Sequence, residues 1–352
     1  MTLILNNDEV LQAMDIDECL EAMATAYKEL PEGRASNRPT SHIYAHHSRP
    51  DASYSFKSVE GTVEQFGVLA LRVTSDVVRD EDVNGTVRLE KLPLAGSGKF
   101  LGLVQLYSLE TGDLLGIMPD GVIQQTRVGI TSALGAKALC RSDAKTLGLI
   151  GTGGQAQAHF KLLTEVLPIK TVKVYSPSPG HRESFAEEMG HAEGIEVEPT
   201  GNVAAAIKDC DIICTATNAS RPIITGDMLE PGVHFNAIRE FELDDTVFAK
   251  ADITGIHTQL GAIRHHLPPG IEHMPGIRQE KPRDWSIYPE IGDFLAGRVP
   301  RRSSSDQITF FLNNIGIGIQ FAAMGHCILN RAKEMGLGHE IPGDWFLQDI
   351  KP

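Results

Sequence analysis

Strands and helices alternate regularly in this chain only from Thr146 onward. "TLGLIG", "TVKVYS", "IEVEP", "CDIICTAT", "VHFNAI" and "ADITGI" read as apolar strands. Helical patterns separate them at "QAQAHFKLLTEV", "HRESFAEEMG", "NVAAAIKD" and "DDTVFAK". This rhythm predicts an α/β architecture with a doubly wound parallel sheet. The residues before it follow another rule. "IDECLEAMATAYKEL" has helical apolar spacing, whereas "ASYSFKSV", "GVLALRVTSDVV" and "KFLGLVQLYSLETGDLLGIM" are β-type, with a turn signal at "ETGD". The polar stretch "RDEDVNGTVRLEKLPLAGSGK" reads as a loop or an extended hairpin, and "GVIQQTRVGITSALGAKALC" as a long helix. After residue 300, "SSSDQITFFLNNIGIGIQFAAMGHCILNRAKEMG" reads as a linker followed by a long helix. The expectation is an inserted Rossmann-like domain at 128–304. A split α+β substrate and dimerisation domain takes residues 1–127 and 305–352, and ligands bind in the cleft between the two.

The first strand of the alternation runs into "GLIGTGGQAQAHF". Gly151, Gly153 and Ala156 have G-x-G-x-x-A spacing between a strand and a helix, the context a dinucleotide-binding turn requires. Gly151 permits the tight turn, Gly153 lets backbone approach a pyrophosphate, and Ala156 lets the helix pack close. The amides at the helix start then face phosphate oxygens. NAD-binding folds usually carry an acid at the tip of the next strand. Here that tip is "VYSPSPGHR", which has no carboxylate and offers Ser176, Ser178, His181 and Arg182 for a phosphate. This favours NADP over NAD. The candidate cofactor contacts are Thr126, Gly151, Gly153, Gly154, Gln155, Ala156, Ser176, Ser178, Arg182, Thr215, Thr217, Asn218 and Ile238.

The formal net charge of −14 argues against a nucleic-acid binder. The five cysteines form no C-x-x-C pair and are odd in number, which favours a reducing compartment over a disulfide framework or zinc site. Cys210 and Cys214 read as buried strand residues. "MTLILNNDEV" has no basic n-region, and no apolar run reaches the length of a membrane span, so the expectation is a cytoplasmic protein. The histidines His46, His47, His257, His265, His266 and His273 show no metal-ligand spacing and read as loop residues.

"MPDGVIQQTRVGITSALGAKAL" followed by "LGLIGTGGQAQAH" resembles the ornithine cyclodeaminase/mu-crystallin family, along nearly the whole chain. That resemblance implies a homodimer acting on an amino or imino acid beside a nicotinamide. It implies carboxylate-binding arginines at Arg38 in "NRPTSHIY" and Arg127 in "QQTRVG", and an arginine fork suits a carboxylate on its own chemistry. The sequence departs from the family in three places. Arg72 stands where the family has its catalytic Lys, and it cannot easily give up a proton. Lys57 on the preceding strand offers an ammonium in its stead. The family's amine-positioning Asp has no secure match, with Glu240 and Glu242 as candidates. Phe321 stands where many relatives have an acid. The expected activity is NAD(P)-dependent interconversion of a small imino acid and its amino acid by hydride transfer. Lys57, Arg72 and Glu240 are the candidate catalytic residues, and Arg38, Lys57 and Arg127 the substrate-binding ones. An ammonia-releasing cyclodeaminase and a cofactor-binding protein without turnover are the alternatives.

Overall fold

A computed structural model describes residues 1–83, 86–93, 98–219, 221–260, 263–277 and 283–348. The chain divides into two compact units. One comprises Met1–Gln124, Leu260–Arg283 and Gly316–Pro352; the other comprises Gln125–Gln259 and Asp284–Ile315. Among the described residues, no helix is long and apolar enough to cross a membrane.

The second unit is built on a seven-stranded sheet. Its order is Glu196–Pro199, Thr171–Tyr175, Thr146–Ile150, Ile212–Thr215, His234–Ala237, Thr309–Leu312 and Ile253–Ile256. Every pairing is parallel. The central strands Ile212–Thr215, His234–Ala237 and Thr309–Leu312 are buried at every position, as expected of strands covered on both faces. Phe235 stacks on Phe310 with centroids 5.2 Å apart, and Phe248 meets Phe310 edge-on. Thr146–Ile150 lies between the strand that follows it and Ile212–Thr215. The chain order reverses there, which places a binding crevice at the carboxyl ends of these two strands.

The first unit is a ten-stranded mixed sheet. Its main path is Arg264–His266, Ser41–His46, Ala52–Val63, Val68–Val83, Leu101–Ser108, Leu114–Pro119, Thr2–Ile4 and His339–Ile341. Ala35–Asn37 and Thr86–Leu92 pair alongside. The helix Gly318–Glu334 packs on Ala52–Val63, Val68–Val83 and the helix Ile16–Glu29. Gly318 admits the closest approach, since a Cβ there would lie 1.9 Å from the Glu60 carbonyl carbon.

The structure corrects several expectations. The insertion is not continuous over 128–304, because Leu260–Arg283 belongs to the first unit. Its strand Arg264–His266 pairs in parallel with Ser41–Ile43, and the Gly276 amide donates to Asp80 Oδ2 at 3.1 Å. The unit boundaries fall inside the helix Gly121–Leu139 and at Ile315/Gly316. The supposed linker before the last helix contains the buried strand Thr309–Leu312, so residues 305–315 belong to the second unit. Cys210 precedes the strand Ile212–Thr215 and is half-buried; only Cys214 lies in it. His46, His265 and His266 are strand residues, and His257 is fully buried.

Candidate functional site

The second unit contains the glycine loop. Gly151 has φ +120°, and a Cβ there would come within 2.4 Å of the Ala216 carbonyl oxygen, so only glycine fits. The Gly151 amide donates to the Tyr175 carbonyl at 2.8 Å, and the Ala216 amide donates to the Ile150 carbonyl at the same distance. These bonds fix the loop across the crevice. Gly153 is the N-cap of the helix Gly154–Val166, and no side chain caps the amides at its start. A Cβ on Gly153 would meet nothing within 4 Å. Ala156 is fully buried under the helix, and Gln155 Oε1 is buried with no hydrogen-bond partner among the described residues. The open approach and the uncapped amides fit a dinucleotide pyrophosphate. Gln125 packs over Gly154, a contact the sequence did not single out.

The other candidate cofactor residues have mixed positions. The Ser178 hydroxyl accepts from the His181 amide at 3.4 Å as a helix cap. Arg182 Nη1 donates to the Ser176 carbonyl at 3.0 Å, which draws the guanidinium to the tip of Thr171–Tyr175. Thr126 is buried on the long helix; Asn218 is exposed and Ile238 half-buried at strand ends. The Thr215 and Thr217 hydroxyls donate to Glu242, at 3.0 Å to Oε2 and 2.7 Å to Oε1. The Thr217 amide also donates to Oε1 at 2.6 Å. Glu242 therefore braces the loop from beneath, and burial raises its carboxyl pKa against the lowering effect of those hydrogen bonds. Glu240 starts the same short turn and is half-buried.

A polar network ties the long helix to this sheet. His159 Nε2 meets Ser132 Oγ at 2.9 Å and its Nδ1 meets the Gln155 carbonyl at 2.7 Å. Asn313 Nδ2 donates to Ser132 Oγ, and Asn236 Nδ2 donates to the Ser132 carbonyl, each at 3.0 Å. Arg127 is buried on this helix; burial first, and then the Arg127 charge, push His257 down to about 3.

In the first unit, strand register aligns a polar row. His265 pairs with His42, His42 with Lys57, Lys57 with Thr74 and Thr74 with Gly102. Directly opposed residues share a sheet face. The strand Ser41–His46 turns His42 and Tyr44 inward and leaves Ile43 54% exposed, so polar groups take the buried face. Tyr44 Oη lies 3.2 Å from His42 Nδ1 and 3.2 Å from His265 Nδ1. Burial, then the Lys57 charge, push His42 down to about 3 and lower His265 as well. Both rings are therefore neutral at pH 7. Lys57 Nζ lies 3.8 Å from the buried Asp76 carboxylate, which Lys91 also pairs at 3.0 Å.

Arg72 is two residue pairs along from this row, opposite Val59 and on the same face. It donates through Nε to Asp120 Oδ2 at 2.7 Å and sits 5.4 Å from the Phe321 ring centroid. Phe321 thus takes the aromatic face of a cation contact in place of an acid. Gly102 makes this possible, since a Cβ there would lie 1.9 Å from Asp120 Oδ1. The structure gives Arg38 another partner. Its guanidinium forks onto the Glu60 carboxylate, with Nε to Oε2 at 2.8 Å, and its side chain is 63% exposed. A substrate carboxylate bound by Arg38 would have to displace Glu60. Sequence reasoning missed Asp76, Asp120, His42 and Tyr44. Each lies at an alternate position of a strand or immediately after one, and only strand register reveals the shared face.

A profile of the ornithine cyclodeaminase/mu-crystallin family matches residues 60–336, and the chain belongs to that family. Among its relatives is a Delta(1)-pyrroline-2-carboxylate reductase of Bacillus cereus. The two are 25% identical over 344 residues, covering 96% of this chain and 99% of the relative. The solved Delta(1)-pyrroline-2-carboxylate reductase of Thermococcus litoralis, in complex with NADH and L-proline, superposes with TM-score 0.76 at 24% identity, over 97% of this chain and all of that one. An archaeal alanine dehydrogenase dimer with bound NAD has TM-score 0.74 at 23% identity, over 97% of this chain and 99% of that one.

Proposed function

We propose that this protein is an NAD(P)H-dependent reductase of small imino acids, acting in reverse as an amino acid dehydrogenase. The observation that carries this reading is Lys57, an ammonium held between neutral His42 and Thr74 on a buried polar face. The names of the Bacillus and Thermococcus relatives support an imine as the reducible group.

A bound reduced nicotinamide supplies hydride to the imine carbon. The chain's own residues manage charge and protons. Lys57 donates a proton to the imine nitrogen as it becomes an amine, and Asp76 keeps the ammonium in place. Arg127 pairs with the substrate carboxylate, as arginine forks do. Arg72 is held by Asp120 and contributes fixed positive charge without moving a proton. The glycine loop holds the cofactor. Its preferred form is NADP, because Arg182 is drawn to a strand tip that carries no acid. The assembly is a homodimer, as in the archaeal alanine dehydrogenase.

The test is absorbance at 340 nm with NADPH or NADH. The substrates are 2-oxo acids mixed with ammonia or methylamine, and cyclic imines such as pyrroline-2-carboxylate. Oxidation that needs both imine and enzyme is expected, with Lys57→Met slower by about 100-fold or more. Ammonia release from ornithine with no net change at 340 nm would overturn the reductase reading in favour of the lyase. Light scattering after gel filtration should give twice the chain mass.

A further inference from the structure

The segment between residues 263 and 277 leaves the sequence of the nucleotide unit to join the other sheet. At one end, Arg264–His266 extends the sheet beside Ser41–Ile43, and the Arg264 amide donates to the Thr40 carbonyl at 2.9 Å. At the other end, Gly276 holds Asp80 and sits so close to Val78 that a Cβ would meet its side chain at 2.6 Å. Val78 and Asp80 alternate with Asp76 and Thr74 along Val68–Val83, so they share the face that carries Lys57. The two anchors lie on opposite sides of the strand Ala52–Val63, and the segment is a strap bridging its neighbours on the polar face.

The face beside this strap has groups in need of a partner. Thr74 Oγ1 is buried and makes no hydrogen bond among the described residues, and neither does Ser53 Oγ. Buried hydroxyls in native structures are nearly always satisfied, so Thr74 calls for a polar ligand. On the other flank of Lys57, the His42 ring is fixed through Nδ1 by Tyr44, whose Oη also meets His265 of the strap. The groups flanking Lys57 are thus neutral and able to hydrogen-bond. Asp76, two residues beyond Thr74 on the same face, already pairs with the Lys57 and Lys91 ammonium groups, so a second substrate carboxylate would compete with it for those cations.

We propose that Thr74 and His42, the latter positioned by Tyr44 and the strap's His265, form a subsite beside Lys57 for a hydroxyl group on the substrate's side chain. The preferred substrates are then imines of hydroxylated 2-oxo acids rather than of plain or dicarboxylic ones. This rests on the imine-reductase reading above.

The experiment compares kcat/KM for the imines of hydroxypyruvate, pyruvate and oxaloacetate in the wild type, Thr74→Val and Tyr44→Phe. The wild type should favour hydroxypyruvate over pyruvate by about ten-fold or more, as a buried group made to pair with a hydroxyl discriminates against its absence. Thr74→Val should cut that ratio about ten-fold. Tyr44→Phe should raise KM for the hydroxylated imine more than it lowers kcat. A wild-type preference for pyruvate or oxaloacetate, or a ratio unchanged in both variants, would overturn the proposal. Calorimetric binding of L-serine against L-alanine reads the same subsite without turnover. If no imine is reduced, the functional reading fails on its own. Serine binding that Thr74→Val weakens would still support the subsite, and equal affinity for the two amino acids would sink it.

Discussion

Arg72 and Asp120 form an ion pair on the polar face of the first unit, and Gly102 leaves the space in which the carboxylate sits. Both side chains are nearly buried, at 13% and 10% exposure, so removal of either leaves the other's charge without this partner in a poorly hydrated place. Asp120→Ala strands a guanidinium and should cost about 3 kcal/mol in urea unfolding. The double variant Asp120→Ala/Arg72→Leu should recover part of that loss. Equal destabilisation in the single and double variants would show that the pair contributes nothing by itself.

The glycine loop separates folding from binding. Gly151→Ala strains a positive φ and drives a methyl into the Ala216 carbonyl, so both the melting temperature and cofactor affinity should fall. Gly153→Ala meets no protein atom and should leave melting unchanged. Its methyl would occupy the approach to the pyrophosphate, and the Kd for NADPH should rise about ten-fold or more by fluorescence titration. Unaltered NADPH affinity in Gly153→Ala would move the phosphates elsewhere.

Arg182→Ala tests the cofactor choice. Removal of a cation beside a 2′-phosphate should raise KM for NADPH and leave KM for NADH nearly unchanged. Equal effects on the two cofactors would return the preference to NAD.

Glu242 makes stability depend on pH in an uncommon direction. Burial raises its carboxyl pKa in the folded state, so the folded protein holds this proton more tightly than the unfolded chain. The contribution is fully present below the unfolded carboxylate range and is lost as pH rises through the folded pKa. Glu242→Gln keeps an acceptor for the Thr217 amide and removes the buried charge. Its melting temperature relative to wild type should improve from pH 5 to pH 8, and the opposite trend would mean an ionised brace.

His159 works in the other direction. Burial pushes it down to about 4, against the raising effect of its bond to the Gln155 carbonyl. Its stabilisation is present above the unfolded value near pH 6.5 and lost as pH falls to about 4. In the neutral ring Nδ1 donates to Gln155 and Nε2 accepts from Ser132, whose oxygen also accepts from Asn313. His159→Gln should flatten the melting curve between pH 6.5 and pH 4. A variant as acid-sensitive as the wild type would assign that loss to the other buried histidines.

The parallel sheet is legible in the sequence because strands covered on both faces read as apolar runs, as "LGLI" and "DIICTAT" do. The glycine loop is legible because its constraint is local: a strand, a positive-φ glycine and a helix start lie within a few residues. The polar row is not. Ile43 is the apolar member of "SHIYAH", yet it is the one turned outward while His42 and Tyr44 are buried. Alternation supplies the two faces of a strand but does not say which is covered. His265 is some 220 residues from Tyr44, and no periodicity links them. Arg38 shows the converse. Its type and motif suggest a substrate clamp, and Glu60 on a neighbouring strand takes its fork.

The outermost pairing of the mixed sheet joins the two ends of the chain, Thr2 opposite Ile341 and Ile4 opposite His339. Ribosomes add about 5 to 20 residues per second, so the first strand waits roughly 20 to 70 seconds for that neighbour. The helix Gly318–Glu334, which covers the strands bearing Lys57 and Arg72, emerges just as late. The polar face of the first unit is therefore covered only after the whole of the second unit has been made, and a truncation that removes the helix Gly318–Glu334 is expected to keep nucleotide binding and to lose the face that carries Lys57.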